Sequence, residues 1–243
     1  MPRPNRPEHG ALIISFDVSD VGDRRVQQAA SEALGLVRKR HVACTWIVAD
    51  PASSPLTAQA LTSSPRQEMA LLATADWAGA SVLRHRFGAE LRERIRAAAA
   101  CGCTVESLVS REQELTTAYD LLVREGVAAC AAPASSPELR LLRYGLWQIP
   151  FDQELDGRSR WRAARRVRRA LDRLAGTQET LHVLVDGAEL ARRGTTLVGM
   201  LVERAVRLRE RSGLVIETLG EAAGRLATVS RPEPSRSILR RAA

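Results

Sequence analysis

Short apolar segments alternate with longer segments of helical periodicity along most of this chain. Ala11–Phe16, Ala43–Val48 and Glu68–Ala73 are apolar runs of strand length, each followed by polar or turn-forming residues. Between the first two, Asp23 can cap a helix that reaches about Arg40. Apolar strands separated by helices require parallel pairing with right-handed crossovers. We therefore predict an α/β protein built on a parallel (β/α) barrel of seven or eight strands, with an open doubly wound sheet as the alternative.

The pattern predicts a single domain over residues 11–228, flanked by a flexible arm (1–10) and a disordered basic tail (229–243). The length of 243 residues is common for a barrel formed as one unit. Hydrophobic residues make up 45% of the chain, which excludes a largely disordered protein. No apolar run approaches the roughly 20 residues of a membrane span, and no signal peptide is recognisable. These features predict a cytoplasmic protein.

Four cysteines are present, and their spacing does not indicate a metal or redox motif. Cys101 and Cys103 are separated by one residue, whereas zinc and dithiol motifs use two or more. Cys44 and Cys130 lie within apolar strand patterns. We interpret all four as reduced, small apolar side chains.

Several predicted strands are followed by polar or aromatic side chains that can serve a binding site. The candidates are Asp17, Asp20, Thr74, Asp76, Trp77, Ser110, Arg111 and Asp186. Ligands of parallel α/β folds bind at the carboxyl ends of the strands. Carboxylates that converge there could bind a hard cation or share a proton. Alternatively, each carboxylate caps a helix or turn, an interpretation that is stronger for Asp20 and Asp76 than for Asp17 and Asp186.

Four segments have the order and spacing of motifs from one enzyme family. Ser15-Phe16-Asp17-Val18-Ser19 is similar to a Thr-Phe-Asp-Asp-Gly strand end, and Ala43–Val48 is similar to an Ala-Thr-Phe-Phe-Val strand. Gln67–Leu71 is similar to a His-Glu-Ile segment, and Gly213–Glu221 to the last strand and helix. Over about residues 11–226 the chain resembles the polysaccharide deacetylase (NodB-homology) family of carbohydrate esterases. The resemblance implies a deacetylase barrel and descent from hydrolases of carbon–nitrogen bonds other than peptide bonds.

The chain departs from the family at the metal-binding positions. In the family the first Asp of the first motif is the general base, while the second Asp and two histidines bind a divalent metal. Asp17 stands at the base position, and Val18 stands at the position of the metal-binding Asp. The two histidine positions correspond to Leu72 and Asp76. Valine and leucine cannot bind a metal, and catalytic zinc needs three protein ligands, so we predict no metal site and no divalent metal cofactor.

Two further family residues are replaced. The arginine of the family's Arg-x-Pro motif corresponds to Ala131, which leaves only Pro133, and the late histidine that acts as general acid corresponds to Asp186. Loss of both metal and general acid removes most of the rate enhancement that the family mechanism supplies. We therefore predict a degenerate, deacetylase-like protein of carbohydrate metabolism that is catalytically impaired or binds glycan.

An active hydrolase of amide or ester groups on a carbohydrate, using a re-drawn carboxylate site, remains the alternative. In either case Asp17 and Asp186 are the candidate catalytic residues. The candidate substrate-binding residues are Asp20, Thr74, Asp76, Trp77 and Arg111.

The predicted helix over residues 158–173 is rich in arginine, within a chain of formal charge +8. We interpret it as a solvated outer face whose arginine stems cover apolar surface. The alternative is an interaction module, in which Arg165 and Arg169 contact an acidic protein, anionic glycan, phospholipid or nucleic acid. Aromatic residues make up only 4% of the chain, which leaves few side chains for base stacking and predicts no dedicated nucleic-acid site.

Overall fold

The computed structural model describes residues 9–20, 22–53, 61–64, 66–111, 118–133, 138–155 and 160–230. The predicted N-terminal arm and C-terminal tail lie almost wholly outside these ranges. Residues 112–117 of the predicted helix after the fourth strand also lie outside them.

Ten strands form one sheet in the described chain. Their order is β6-β7-β5-β4-β3-β2-β1-β9-β8, and β10 also pairs with β1. All described pairs are parallel except the pair β6–β7, which is antiparallel. The strands are β1 (Ala11–Asp17), β2 (Cys44–Val48), β3 (Gln67–Ala73), β4 (Val105–Ser110), β5 (Ala129–Ala131), β6 (Arg140–Leu141), β7 (Trp147–Gln148), β8 (Gln153–Leu155), β9 (Thr180–Asp186) and β10 (Val215–Glu217).

Eight α-helices connect or follow the strands in the described chain. They are α1 (Arg24–Lys39), α2 (Ala75–Ala78), α3 (Arg84–Ala100), α4 (Tyr119–Arg124), α5 (Arg160–Leu174), α6 (Gly187–Arg193), α7 (Thr196–Ser212) and α8 (Leu219–Ser230). The side chain of Asp23 accepts a hydrogen bond from the Arg25 N–H and caps α1, as the sequence predicts.

The predicted (β/α) barrel is confirmed, in the form of a half-barrel. The expected strand number of seven or eight is too low. The additional strands, β6 and β8, are two and three residues long. Segments this short show no sequence periodicity, because one alternation of side chains is indistinguishable from a turn. Segments β6 and β8 are strands only because they pair with β7 and β9 in the tertiary structure.

The sheet separates two apolar clusters. Its outer face packs against most of the helices through residues such as Phe16, Trp46 and Leu108. Its inner face carries Ile13 and Val109 and packs against α8. Side chains alternate between the faces of a strand. Asp17 lies four positions after Ile13, and Arg111 lies two positions after Val109. The side chains of Asp17 and Arg111 therefore also belong to the inner face.

Helix α6 begins in close contact with the end of β1. A Cβ atom added to Gly187 would lie 2.1 Å from the backbone oxygen of Asp17. Any other residue would therefore push the start of α6 away from β1. Glycine at this position allows β9 and β1 to end side by side, with Asp186 paired in register with Asp17.

Gly187→Ala is expected to lower the free energy of unfolding by about 1–3 kcal/mol, because neither backbone can yield without disturbing the sheet. Gly35→Ala is the control, since Gly35 lies within α1 and a Cβ there would have no neighbour within 4 Å. That variant is expected to raise stability by about 0.5–1 kcal/mol. Urea denaturation measures whether the free energy of unfolding of each variant is lower or higher than that of the wild type. Equal changes in the two variants would contradict the close contact between Gly187 and Asp17.

Candidate functional site

Three parallel strands bring three predicted site residues to the same edge of the sheet. Asp17 is the last residue of β1, and it pairs in register with Asp186, the last residue of β9. Arg111 directly follows β4. All three side chains lie on the inner face, so they converge at the mouth of the half-barrel.

The guanidinium of Arg111 lies among three carboxylates. Its Nη1 donates to Asp17 Oδ2 at 2.9 Å and to Asp186 Oδ2 at 2.7 Å. Its Nη2 donates to the carboxylate of Glu154, a residue of β8. We refer to Arg111, Asp17, Asp186 and Glu154 as the guanidinium cluster. One cation here faces three carboxylates, and charge-assisted hydrogen bonds of this kind fix orientation strongly.

The remaining oxygens of the two aspartates also have donors. Asp17 Oδ1 accepts from the backbone N–H of Ser19 at 3.1 Å. Asp186 Oδ1 accepts from the backbone N–H of Glu189 at 2.9 Å and caps α6. Asp186 therefore caps a helix, which the sequence left open as an alternative, and belongs to the guanidinium cluster at the same time. Both carboxylates are held rigidly.

Burial decreases across the cluster toward solvent. The side chain of Asp17 is only 5% exposed, whereas those of Asp186, Arg111 and Glu154 are 20%, 35% and 42% exposed. Partial burial pulls the pKa of Arg111 down, but the hydrogen bond to Asp186 and the charges of Asp17, Asp186 and Glu154 outweigh it. The net pKa of Arg111 is raised, so this side chain is a permanent cation.

Of the predicted substrate-binding residues, only Arg111 belongs to the cluster. Asp20 lies exposed in the loop after β1, and Asp76 lies exposed in the first turn of α2. Thr74 is the half-buried N-cap residue of α2, and its side chain makes no capping hydrogen bond. Among the described residues, neither Asp20 nor Asp76 forms an ion pair with Arg111.

The structure places Trp77, a predicted substrate-binding residue, in the core and not at the mouth. Trp77 is 3% exposed and lies in the core on the outer side of the sheet. Its ring stacks on Phe87 at a centroid distance of 5.7 Å, and the guanidinium of Arg94 lies 5.0 Å from the ring centroid. The position of Trp77 on α2 directs its indole toward α3, so this side chain contributes to the packing of the core.

Glu154 is the residue of the cluster that the sequence analysis missed. It lies on the three-residue strand β8, whose register with β9 places it opposite Leu184. Leu184 belongs to the inner face, so Glu154 points to the same side. A run as short as Gln153-Glu154-Leu155 gives no sequence signal for this pairing.

A buried serine–histidine pair lies beneath the cluster. Ser15, two residues before Asp17, has its hydroxyl 2.8 Å from Nε2 of His182, and both residues are fully buried. Nδ1 of His182 lies 3.4 Å from the carbonyl oxygen of Ile149. This carbonyl assigns the proton to Nδ1, so Nε2 accepts from the hydroxyl. His182 is therefore a hydrogen-bonded histidine of the core.

A third polar group lies where α8 begins. The carboxylate of Glu68 accepts hydrogen bonds from Thr45 Oγ1 at 3.1 Å, from the Gly220 N–H at 3.0 Å and from Ser107 Oγ. Burial raises the pKa of Glu68, and the hydrogen bonds from Gly220, Ser107 and Thr45 lower it by less. This carboxylate fixes the N-terminus of α8 against β2, β3 and β4.

Solved structures of other proteins share this arrangement of strands and helices. A protein assigned as a polysaccharide deacetylase from Mycobacterium smegmatis matches with a TM-score of 0.71 at 15% identity, over 96% of this chain and 97% of that one. The PuuE allantoinase matches with a TM-score of 0.69 at 10% identity, over 96% of both chains. A mutant of BA3943, a CE4 family pseudoenzyme, matches with a TM-score of 0.56 at 10% identity, over 91% of this chain and 68% of that one.

The chain has the polysaccharide-deacetylase fold. The resemblance predicted from sequence is thereby confirmed at the level of the fold. No protein-family model and no curated protein matches the sequence. Identities of 10–15% establish a shared deacetylase fold, and the chemistry of this chain has to be argued from its own residues.

Two of the three positions at which the sequence resemblance implies metal ligands hold apolar side chains, Val18 and Leu72. Val18 is 5% exposed and packs in the outer core. Leu72 and Ala131 lie on the inner face. No group of three or more His, Cys, Asp or Glu side chains could hold a metal ion within the part of the chain that the structure describes. No described helix is long and apolar enough to cross a membrane.

Acid is expected to destabilise the protein through His182. Burial lowers the pKa of His182 to about 4, despite hydrogen bonds to the Ile149 and Pro150 carbonyls, which raise it. An unfolded histidine titrates near pH 6.5, so this stabilisation is complete above about pH 6.5 and is lost as pH falls toward 4. The loss is about 3 kcal/mol over that window. His182→Gln should remove this pH dependence, and His85→Gln, at an exposed position, should retain it in urea unfolding series.

Arg111→Met is expected to lower the free energy of unfolding by about 1–3 kcal/mol at pH 7, because it leaves three neighbouring carboxylates without their cation. Arg84→Met removes an exposed, solvent-screened ion pair with Asp120 and should change stability by much less than Arg111→Met does. Thermal unfolding at matched pH compares the two. A loss for Arg111→Met no larger than that for Arg84→Met would show that the cluster does not stabilise the mouth.

Proposed function

We propose that this protein binds carbohydrate at the mouth of a deacetylase half-barrel and does not deacetylate it by metal-assisted hydrolysis. The proposal rests on one observation, the position of Arg111 Nη1 between the carboxylates of Asp17 and Asp186. The relationship to carbohydrate is supported by the polysaccharide deacetylase with the same fold.

The donor set at the mouth does not fit the divalent metal on which polysaccharide deacetylases depend. The corresponding positions hold Val18 and Leu72, which have no donor atom, and Asp76, which is exposed on α2. Asp17 and Asp186 use their oxygens for Arg111 and for backbone N–H groups. A metal would have to displace the guanidinium and would still lack the three protein ligands of a catalytic zinc site.

A guanidinium cannot replace the metal in catalysis. Its charge is spread over a planar group without an open coordination position, so it cannot hold a water molecule as hydroxide. Both carboxylate oxygens of Asp17 already accept hydrogen bonds, Oδ1 from the Ser19 N–H and Oδ2 from Arg111. These features support a binding function over hydrolysis.

The exposed part of the cluster suits sugar hydroxyls. Arg111 and Glu154 are 35% and 42% exposed, and they present donors and acceptors at fixed spacing. Planar guanidinium and carboxylate groups can each bond two neighbouring hydroxyls. The protein keeps these groups ordered before binding, which lowers the entropic cost of complex formation.

Binding and turnover of acetylated amino-sugar oligomers test the proposal. The wild-type protein is expected to bind them by calorimetry and to release no acetate, with or without added divalent ions. Elemental analysis is expected to find no stoichiometric transition metal in the purified protein. Arg111→Met and Glu154→Gln should each weaken binding about three- to tenfold, through loss of hydrogen bonds to the ligand.

Two controls keep the outcome interpretable. Arg84→Met changes an exposed arginine outside the cluster and should bind as the wild type does. Glu154→Gln changes the most exposed carboxylate of the cluster, so loss of binding there does not arise from unfolding. Acetate release that Asp17→Asn abolishes would instead establish an active hydrolase with a re-drawn carboxylate site, and absence of any binding would also overturn the proposal.

A further inference from the structure

A large groove between α5 and α7 lies outside the mouth and has no part in the proposed function. Its volume is about 1120 Å³. Its lining includes the apolar side chains of Val167 and Leu171 from α5 and of Leu197 and Met200 from α7. Met200 is 48% exposed, which is unusual for a large apolar side chain beside a concave surface.

Arginines line both sides of this groove. Arg165 and Arg168 come from α5, and Arg204 and Arg207 come from α7. Their carboxylate partners are few: Asp172 pairs with Arg204 and lies 4.0 Å from Arg168, and Glu203 lies 3.6 Å from Arg207. Glu203 also pairs with Arg40. The groove therefore combines an apolar floor with a surplus of positive charge at its rim.

The structure refines which arginines of the basic helix can act together. Arg165 lines the groove, as expected for a contact residue, but Arg169 is exposed on another side of α5 and does not. The lining residues Ala164, Val167, Arg168 and Leu171 form one face of α5, and Arg169 lies about 100° further round the helix than Arg168. The groove therefore brings Arg165 and Arg168 together, and the partner contact predicted from sequence at Arg165 and Arg169 stays a prediction.

We propose that the α5–α7 groove binds an acidic amphipathic helix of a partner protein. A groove between two helices accepts the apolar face of a third, with anchors at helical spacing. The lining residues of α7 extend from Thr196 to Arg207, about 18 Å, which matches about three turns of a bound helix. Glutamates or aspartates on the flanks of that helix would meet Arg165 and Arg168 on one side and Arg204 and Arg207 on the other.

Charge separates this occupant from the other candidates. The chain's own residues 231–243 contain four arginines and one glutamate, so they would be repelled by the basic rim. Two copies of the protein that met through this groove would place the same arginines against each other. A flat anionic membrane could contact the rim but would leave the concave apolar floor unfilled, and it is one outcome of the test.

The test uses a synthetic, fluorescein-labelled 18-residue helix with leucines at i, i+3, i+4 and i+7 spacing and glutamates on both flanks. Anisotropy titrations of the full-length protein are expected to show saturable binding that weakens as salt rises. Arg165→Glu with Arg168→Glu should weaken it by about tenfold or more. The matched control, Arg166→Glu with Arg169→Glu, changes the same helix and the same net charge at exposed positions away from the groove, and should change affinity less than about twofold.

Met200→Ser tests the apolar floor and should also weaken binding by about threefold or more, without any change in charge. Equal losses in the two arginine double variants would mean diffuse electrostatic attraction and would overturn the proposal. Equally tight binding of a peptide with serine in place of leucine would overturn it as well. Absence of peptide binding, or binding only to phosphatidylserine vesicles, would assign the groove no helical partner.

Discussion

The alignment of parallel strand ends is the constraint on which this structure depends. Because β1 and β9 run side by side in register, Asp17 and Asp186 finish at the same level, and β4 delivers Arg111 to the same edge. Gly187 permits that closeness, since no Cβ fits against the Asp17 carbonyl. The fold thus gathers like charges at one mouth, and a single guanidinium makes this arrangement stable.

Polar groups are distributed through an otherwise apolar inner face, and three of these groups are held by hydrogen bonds. Glu68 fixes the start of α8, and Ser15 with His182 lies beneath the mouth. The guanidinium cluster forms the outermost group. Unpaired polar groups at these depths would cost about 1–3 kcal/mol each, so the pairs specify one packing of the inner face as much as they prepare a binding site.

Under the proposed function, the mouth holds a fixed organic cation, whereas the polysaccharide deacetylase mechanism depends on a divalent metal. The two cations share positive charge and the ability to organise carboxylates. They differ because a metal has open coordination positions and can activate water, whereas a guanidinium offers only N–H donors in a plane. A change of this kind keeps the fold and the polar mouth and removes the Lewis acid. Apart from Leu155 of β8, the described lining of the groove comes from α5 and α7, and the groove takes no part in that change.

The sequence by itself determined the alternation of strands and helices, the fold class and the convergence of Asp17, Arg111 and Asp186, because strand and helix periodicities and the polarity of parallel strands are local properties. Tertiary structure alone decided the rest. Glu154 joins the cluster through a strand too short to have a pattern, and Trp77 is buried because α3 packs over it. Arg168, and not Arg169, lines the groove because α7 covers only one face of α5. These placements depend on contacts between residues that are distant in the chain, so a local sequence pattern does not predict them.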